Sequence, residues 1–245
     1  AVPLGPGDDR RLVPEPVVKA ALAALGATVP RGVVVTAGAA PDADLAVPLV
    51  LKAFGPGIVH KSDVGAVHLG LGPDDLLGAA ADMTERLAAH GLAPDGFLVE
   101  ETAPPGVELV VGATRTPLGV VVVLGLGGVW AEALDDVATA LAPLDRESAE
   151  ALLDGFRGAS VLAGVRGAPP VDRAALVALL LAIAGRGGLV ERCGDAFAEL
   201  DANPVRAHVT GATLCDARLV LRPVPVLDAD ADRPPLDPDA LLAPR

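Results

Sequence analysis

Four oxygen-bearing side chains late in the sequence have the spacing of a metal site. Glu199, Asp201 and Asn203 are two residues apart, and a strand would therefore place all three on one face. Asp216 follows Asn203 by thirteen residues, so a following strand can bring its carboxylate opposite them. Carboxylate and amide oxygens suit Mg²⁺, which takes few protein ligands and completes its shell with nucleotide phosphates. The alternative is that Pro204 makes Asn203 a turn residue.

A second candidate site begins at a lysine that ends a predicted strand. Lys52 is followed by an irregular stretch containing His60, Lys61, Ser62 and Gly65. A lysine entering such a loop can hold a phosphate, while loop N–H groups and a hydroxyl bind the remaining oxygens. The neighbouring cation favours the neutral form of His60, which is then a phosphate ligand, a phosphate acceptor or an exposed imidazole. The alternative for Lys52 is a solvated lysine in a surface hairpin.

Three further carboxylates lie at a predicted strand end and in the strand that follows. Glu100 and Glu101 end the first strand, and Glu108 lies seven residues after Glu101. A strand end of this kind suits a hinge whose backbone reads a base edge, and Glu108 can accept hydrogen bonds from ribose hydroxyls. Charged residues are also common at strand ends without any ligand.

Glycines at 125, 127 and 128 allow close backbone approach after a hydrophobic strand, and can form an anion-binding nest. This signal is weak by itself. The sequence contains neither the GxGxxG dinucleotide fingerprint after its first strand nor GxxxxGK[ST]. A bound nucleotide would therefore be held by another arrangement.

Composition narrows the class of protein. The chain has 245 residues, is 51% hydrophobic and carries a net charge of −13 with five aromatic residues, which disfavours nucleic acid as a partner. No apolar run reaches the roughly 18 residues of a membrane span, and no secretory signal is evident, so we expect a cytoplasmic protein without membrane contact. Two cysteines form neither a disulfide framework nor a zinc pattern. Only three of 19 basic residues are Lys (Lys19, Lys52 and Lys61), and Asn203 is the single Asn.

The elements that position these residues alternate without a strict βαβ rhythm, which predicts α+β lobes with a cleft between them. Residues 1–13 are predicted to be a leader, 14–222 the domain with a small lobe at about 30–95, and 223–245 a Pro- and Asp-rich tail. Helices are predicted at 14–25, 74–90, 146–154 and 172–185. Strands are predicted at 32–36, 47–53, 97–101, 107–114, 120–124, 196–201 and 212–217.

Several long motifs occur in an order that resembles a known family. These are PLVLKAFGPGIVHKSDVGAVHLGL, FLVEETAPPGVELVVGATRTP, VVLGLGGVWAEALDDV and ELDANPV followed by LCDAR. Together they resemble the ATP-grasp domain of NDP-forming acyl-CoA synthetases. That family includes the β-subunit of ADP-forming acetyl-CoA synthetase and is related to succinyl-CoA synthetase β. The resemblance covers residues 12 to 221, nearly the whole chain.

The resemblance implies an ATP-grasp fold of two lobes, with ATP or ADP and Mg²⁺ bound in the cleft between them. It assigns phosphate contacts to Lys52 and a phosphate-covering flap to the loop from His60 through Ser62 to Gly65. It assigns the adenine hinge to Glu100 and Glu101, and the ribose to Glu108. Mg²⁺ is assigned to Asn203 and Asp216, with Asp201 close by. His60 is implied as a second phosphate carrier, with Lys61, Arg115 and Mg²⁺ balancing the phosphoryl charge. Ala66, where the family usually has glycine, and Thr116, which replaces Asp after the arginine, depart from the family pattern.

The implied reaction converts acyl-CoA, ADP and phosphate reversibly into acid, CoA and ATP, which is the activity of an ADP-forming acid–CoA ligase. The sequence contains no CoA-binding domain and no ligase domain with the primary phosphohistidine. We therefore expect an α-type subunit or domain that supplies them. The alternative is a nucleotide-sensing, non-catalytic ATP-grasp module of the kind fused to protein acyltransferases.

Overall fold

The computed structural model describes residues 9–36, 44–59, 61–128 and 136–223. The chain divides into two compact units, each with its own sheet and hydrophobic core. The first unit contains Pro30–Ala103, and the second contains Asp9–Val29 and the chain from Pro104 onwards. Both units combine helices with antiparallel strands, so the α+β class is confirmed.

The strands are β1 (Arg11–Val13), β2 (Gly32–Val35), β3 (Leu49–Phe54), β4 (Val67–Leu71), β5 (Gly96–Glu101), β6 (Val107–Thr116), β7 (Gly119–Leu126), β8 (Val137–Leu141), β9 (Phe197–His208), β10 (Gly211–Leu214) and β11 (Arg218–Leu221). The α-helices are α1 (Glu15–Ala24), α2 (Leu76–Ala89), α3 (Arg146–Asp154), α4 (Arg173–Ala184) and α5 (Leu189–Cys193). Short 3-10 helices occupy Pro73–Asp75, Arg157–Ala163 and Gly194–Ala196.

The first unit is a four-stranded antiparallel sheet in the order β2-β5-β3-β4, with α2 packed on one face. The buried residues of α2 recur every three or four positions, at Leu76, Ala79, Met83 and Leu87. They pack against alternate residues of the two central strands, which are Leu49, Leu51, Ala53, Phe97 and Val99. The other face of these strands carries Val50, Lys52, Leu98 and Glu100, which are buried too.

The second unit is a seven-stranded sheet in the order β1-β11-β9-β6-β7-β8, with β10 paired to β9. One face packs against helices, whose largest contribution comes from α4, buried on most of its sides. Along β6, the core residues Leu109, Val111 and Ala113 alternate with less buried ones. The remaining face of β6 and β9 carries most of their polar side chains, and we call it the open face.

Strand β9 contains a bulge that the sequence did not predict. Leu109 pairs with Val205 and Val111 with Ala202, so β9 advances by three residues while β6 advances by two. The extra residue lies at Asn203 and Pro204. Because β9 continues to His208, the turn alternative for Asn203 is wrong.

One other difference concerns the amino-terminal end of the predicted domain. Strand β1 falls within residues 1–13, which the sequence assigned to a leader, and it pairs with β11 through Leu12 and Val220. The predicted tail lies outside the described residues from position 224 onwards. No helix within the described ranges is long and apolar enough to cross a membrane.

Candidate functional site

Lys52 and Glu100 form a buried ion pair in the first unit. They lie on the adjacent strands β3 and β5, and the Lys52 Nζ is 2.9 Å from the Glu100 Oε2. Their side chains are 7% and 3% exposed, so the charges are almost completely removed from bulk water. The predicted phosphate-binding lysine and the predicted hinge glutamate therefore contact each other.

Glu101 points away from this pair, as alternation along β5 requires. Its Oε1 accepts a hydrogen bond of 2.9 Å from the Ala46 N–H and lies 3.5 Å from the Arg31 guanidinium. Arg31 also accepts the Glu101 N–H through its carbonyl. Of the two predicted hinge carboxylates, Glu101 thus fastens the segments that precede β2 and β3.

The loop between β3 and β4 is compact where the structure describes it. The Ala66 N–H donates to the Lys61 carbonyl at 2.7 Å, and the Gly65 N–H donates to the Ser62 carbonyl at 3.4 Å. Gly65 has a φ of +68°, which favours glycine, whereas Ala66 is fully buried in the core of the first unit. The predicted catalytic residue His60 lies outside the described residues.

One arginine beside this loop was missed by the sequence analysis. A Cβ added at Gly65 would lie 3.6 Å from the Arg86 side chain, so Arg86 lines the loop. The Arg86 Nη2 also contacts the His68 Nε2 at 2.5 Å. Only the three-dimensional packing of α2 against the loop reveals this cation, because Arg86 belongs to the exposed face of the predicted helix.

The predicted one-face arrangement of Glu199, Asp201 and Asn203 is confirmed in the second unit. These three residues alternate along β9 with Leu200 and Ala202, which are buried in the core. All three consequently lie on the open face of the sheet. Asn203 is exposed at the bulge, where its amide is accessible to a ligand.

A cation that the sequence analysis did not single out lies within this acidic set. Arg218 is the register partner of Asp201 and forms an ion pair with Glu199 through its Nη2. Arg218 is only 8% exposed, and its Nη1 has no hydrogen-bond partner within the described part of the chain. The arrangement places one fixed positive charge among several carboxylates.

The surroundings of Asp201 shift its titration. Burial raises the pKa of the Asp201 carboxyl; the Arg218 cation opposes this, and the negative charges of Asp216 and Glu199 reinforce it. Asp216 lies in the loop between β10 and β11. The carbonyl of Pro204 accepts the Cys215 N–H at 3.0 Å, which ties that loop to the bulge.

Glu108 lies on the open face of β6 and faces Arg206 of β9. The Glu108 Oε1 is 3.0 Å from the Arg206 Nη2, and both side chains are partly exposed. The glycine turn after β7 packs against it: the Gly127 N–H donates to the Glu108 carbonyl at 2.7 Å. A Cβ at Gly128 would lie 3.2 Å from the Glu108 Oε2. The predicted close approach of this glycine turn is therefore present.

The structure does not bring Arg115 to the acidic set. Arg115 has the parity of the core residues of β6, and therefore lies on the opposite face from Glu199 and Asp201. Its Nε donates to the Phe197 carbonyl at 2.8 Å, and its Nη2 donates to the Gly194 carbonyl. Arg115 therefore fastens the connection that enters β9.

The donor set fits a hard cation. Asp201, Asn203 and Asp216 supply carboxylate and amide oxygens, which are the ligands that Mg²⁺ takes in proteins. No group of three or more His, Cys, Asp or Glu side chains with metal-site geometry occurs among the described residues. A cation at this face would thus combine a few protein oxygens with oxygens from a ligand such as a nucleotide.

Comparison with known proteins gives the family. The ATP-grasp domain family matches residues 7–221. The β subunit of the ADP-forming acetate–CoA ligase II of Pyrococcus furiosus is 32% identical over 187 residues, covering 73% of this chain and 77% of that subunit. The ADP-forming acetate–CoA ligase I of Archaeoglobus fulgidus is 36% identical over 179 residues, covering 71% of this chain and 25% of that protein.

A solved structure supports the same assignment. The acetyl-coenzyme A synthetase 1 of Ca. Korarchaeum cryptofilum is 36% identical to this chain, with a TM-score of 0.70. That structure contains coenzyme A and Mg-AMPPCP, and its phosphohistidine segment points towards the nucleotide binding site. The match covers 85% of this chain and 92% of that chain. The chain belongs to the ATP-grasp domain family, in the group formed by the ATP-grasp subunits and domains of ADP-forming acetate–CoA ligases. It spans about a quarter of the length of the Archaeoglobus protein.

Proposed function

We propose that this chain is the ATP-grasp component of an NDP-forming acyl-CoA synthetase, and that it binds ATP or ADP with Mg²⁺. The observation that carries the proposal is the open face of β9, where Asp201 and Asn203 share one face and the Cys215 N–H bonds the Pro204 carbonyl, which holds the segment before Asp216 next to Asn203. Family membership and the nucleotide analogue bound in the Korarchaeum synthetase support the same ligand.

In this proposal the first unit supplies the nucleotide contacts. Lys52 is a fixed cation for phosphate oxygens, and its ion pair with Glu100 holds the ammonium in place before the ligand arrives. Ser62 contributes a hydroxyl from the loop, Gly65 gives the loop its left-handed turn, and Lys61 adds positive charge beside them. We assign the adenine to this end of β5, the hinge that the resemblance implies at Glu100 and Glu101. Since the Glu101 N–H already donates to the Arg31 carbonyl, that N–H is not the group that reads the adenine edge.

The second unit supplies the metal and ribose contacts. Asn203 and Asp216 hold Mg²⁺, with Asp201 beside them, and the bound cation offsets the negative charge of the nucleotide phosphates. Glu108 accepts hydrogen bonds from the ribose hydroxyls while Arg206 orients its carboxylate. Arg115 is not among the proposed ligands, because its guanidinium donates to backbone carbonyls.

The full reaction requires groups that this chain does not carry. We propose that an α-type subunit or domain provides the CoA site and the primary phosphohistidine, and that His60 accepts the phosphoryl group as a second carrier. The neutral imidazole of His60 is the nucleophile, and Lys61 offsets the charge of the transferred group. With that partner, acyl-CoA, ADP and phosphate interconvert with acid, CoA and ATP.

Calorimetric titration of the chain with ATP and ADP, with and without Mg²⁺, tests the nucleotide and metal assignment. Wild type should bind more tightly with Mg²⁺, and Asn203→Ala and Asp216→Ala should each lose that gain while remaining folded. Asp195→Ala is the matched control, since Asp195 is an exposed carboxylate in the same unit. Unchanged Mg²⁺ dependence in both site variants would remove the assigned metal site.

The carrier role of His60 needs a separate experiment with the α-type partner present. His60→Ala should bind Mg-nucleotide like wild type but fail to transfer the phosphoryl group to the partner histidine. Transfer at the wild-type rate would show that His60 is not a carrier.

A further inference from the structure

One lysine that stands out in the sequence has no part in the proposed function. Arg supplies 16 of the 19 basic residues (19 − 3), and two of the three lysines, Lys52 and Lys61, are assigned to phosphate. The third, Lys19, is in α1 of the second unit and is only 4% exposed. A buried lysine is costly to desolvate unless its charge is matched by partners.

The partners of Lys19 connect α1 to the loop between β10 and β11, which contains Asp216. Its Nζ donates to the carbonyl of Cys215 at 2.7 Å. The same Nζ lies 3.2 Å from the Oε1 of Glu15, one helical turn earlier, and Glu15 is also 4% exposed. The ammonium is therefore held by a carboxylate on its own helix and directs a proton at the residue before Asp216.

The peptide segment around Asp216 is held by hydrogen bonds before it and by burial and strand pairing after it. The Cys215 N–H donates to the carbonyl of Pro204, next to Asn203, and the Cys215 carbonyl accepts from Lys19. Ala217, which follows Asp216, is 1% exposed. Arg218 then begins β11 as the register partner of Asp201. Of these anchors, Lys19 is the one that acts through a side chain and can be changed alone.

The choice of a charged pair also needs a reason. Replacing a buried ion pair with apolar side chains of similar volume is often neutral or stabilising, so stability alone does not call for this pair. An ammonium that donates to a carbonyl fixes the direction of that peptide, which an apolar side chain cannot do. The carboxylate of Glu15 in turn fixes the ammonium.

We propose that the Glu15–Lys19 pair is a positioning device that holds the Cys215–Asp216 segment so that the Asp216 carboxylate and the Asn203 amide bind one metal ion together. The proposal rests on the proposed function, since the metal site is part of it. Lys19 does not touch the nucleotide or the metal in this proposal and acts through the backbone.

The test is calorimetric titration of the full chain with ADP, measured with and without Mg²⁺. The measured quantity is the dissociation constant for ADP without Mg²⁺ divided by that with Mg²⁺. In Glu15→Gln/Lys19→Met this ratio should fall about 10-fold, as for other residues that orient metal ligands, while ADP affinity without Mg²⁺ stays within about twofold of wild type. The matched control is Asp154→Asn/Arg173→Met, which removes an exposed ion pair of 2.8 Å in the same unit and should leave the ratio unchanged.

Glu15→Gln/Lys19→Gln is the second variant, because the amide at position 19 keeps a donor without the charge and no carboxylate is left buried without its ammonium. Its loss should be smaller than that of Glu15→Gln/Lys19→Met. A folded Glu15→Gln/Lys19→Met variant with a wild-type ratio would overturn the proposal, as would an equal loss of affinity with and without Mg²⁺. Loss of the fold in both variants would also count against it, since the pair would then determine the fold itself. A wild-type chain without Mg²⁺-dependent binding would overturn the proposed function first, and this inference with it.

Discussion

The buried pair of Lys52 and Glu100 makes the sharpest prediction about stability. Lys52→Met leaves the Glu100 carboxylate buried without the ammonium that lies 2.9 Å from it. Because the Glu100 side chain is only 3% exposed, water cannot replace that partner without opening the sheet. The variant therefore has to keep this carboxylate buried without its ammonium, protonate it or loosen β3 and β5.

The expected cost follows from this burial. Breaking a buried ion pair from one side typically costs about 3–5 kcal/mol, whereas an exposed pair contributes about 0–1 kcal/mol. Replacing both partners, as in Lys52→Met/Glu100→Leu, removes both charges together and should return the stability to within about 1 kcal/mol of wild type. Neither variant should bind Mg-nucleotide, because each lacks the phosphate cation.

Native-state hydrogen exchange at the amides of β3 and β5 measures this cost locally, which is needed because the two units need not unfold together. Arg146→Met is the control, read by exchange at the amides of its own helix α3, since Arg146 and Glu150 form an exposed pair with side chains 71% and 49% exposed. That variant should change stability by less than about 0.5 kcal/mol. A loss below about 1 kcal/mol for Lys52→Met, or no recovery in the double variant, would refute the argument from burial.

Three further predictions concern the second unit. Backbone hydrogen bonds from the 3-10 helix at 157–163 lower the pKa of Asp136, so this carboxylate contributes stability that is present above pH 3.8 and lost as pH falls through its lowered pKa. Asp136→Asn should therefore reduce the dependence of stability on pH in acid, as measured by acid unfolding followed by circular dichroism. Burial raises the pKa of Cys193 to about 11, so alkylation at pH 8 should modify the half-buried Cys215 first. Peptide mass spectrometry measures the two alkylation rates, and equal rates would contradict the burial of Cys193. A Cβ at Gly106 would lie 2.2 Å from the Ala207 carbonyl oxygen, so Gly106→Ala should destabilise the unit by at least about 1–3 kcal/mol in urea unfolding; a wild-type midpoint would show that the strand ends move apart freely.

The parts of the fold that depend on short-range patterns were predictable. The helix over Leu76–Ala89 follows from its apolar repeat, and its structural bounds lie within the predicted 74–90. Likewise, the face shared by Glu199, Asp201 and Asn203 needs only the two-residue period of a strand. Both patterns are determined by residues within one element.

Other features depend on pairing between distant parts of the chain. Strand β1 has three residues and no apolar pattern of its own, and it becomes a strand because β11 pairs with it. The ion pair between Arg218 and Glu199 depends in the same way on the register of β11 against β9. The contacts of Lys19 with Cys215 join residues 196 positions apart, which no local pattern can show.

The candidate site divides along the same line. Residue types and spacing singled out Asp201 and Asn203 as candidate ligands, because oxygen-bearing side chains on alternating positions are a local signal, and Asp216 by its place thirteen residues after Asn203. The sequence assigned Arg115 to phosphate charge, but strand parity places its side chain with the core residues of β6. Which alternate residues of a strand face the core depends on which residue of that strand is buried first. That burial depends on the layer packed against the sheet, which the sequence of the strand does not show.

The bulge in β9 also limits how this strand can change its length. Asn203 and Arg206 are three positions apart, and in a regular strand an odd separation puts two side chains on opposite faces. Here both lie outside the core, because the extra residue resets the alternation between them. A single-codon deletion at position 203 or 204 would remove the extra residue and leave a regular strand, in which Val205 still points inward, Arg206 still points outward and the register against β6 is kept. A deletion in the regular part of the strand, at 200 to 202, would instead reverse the alternation or shift the strand against β6. One-residue deletions in this segment should therefore be tolerated at the bulge but not in the regular part of the strand.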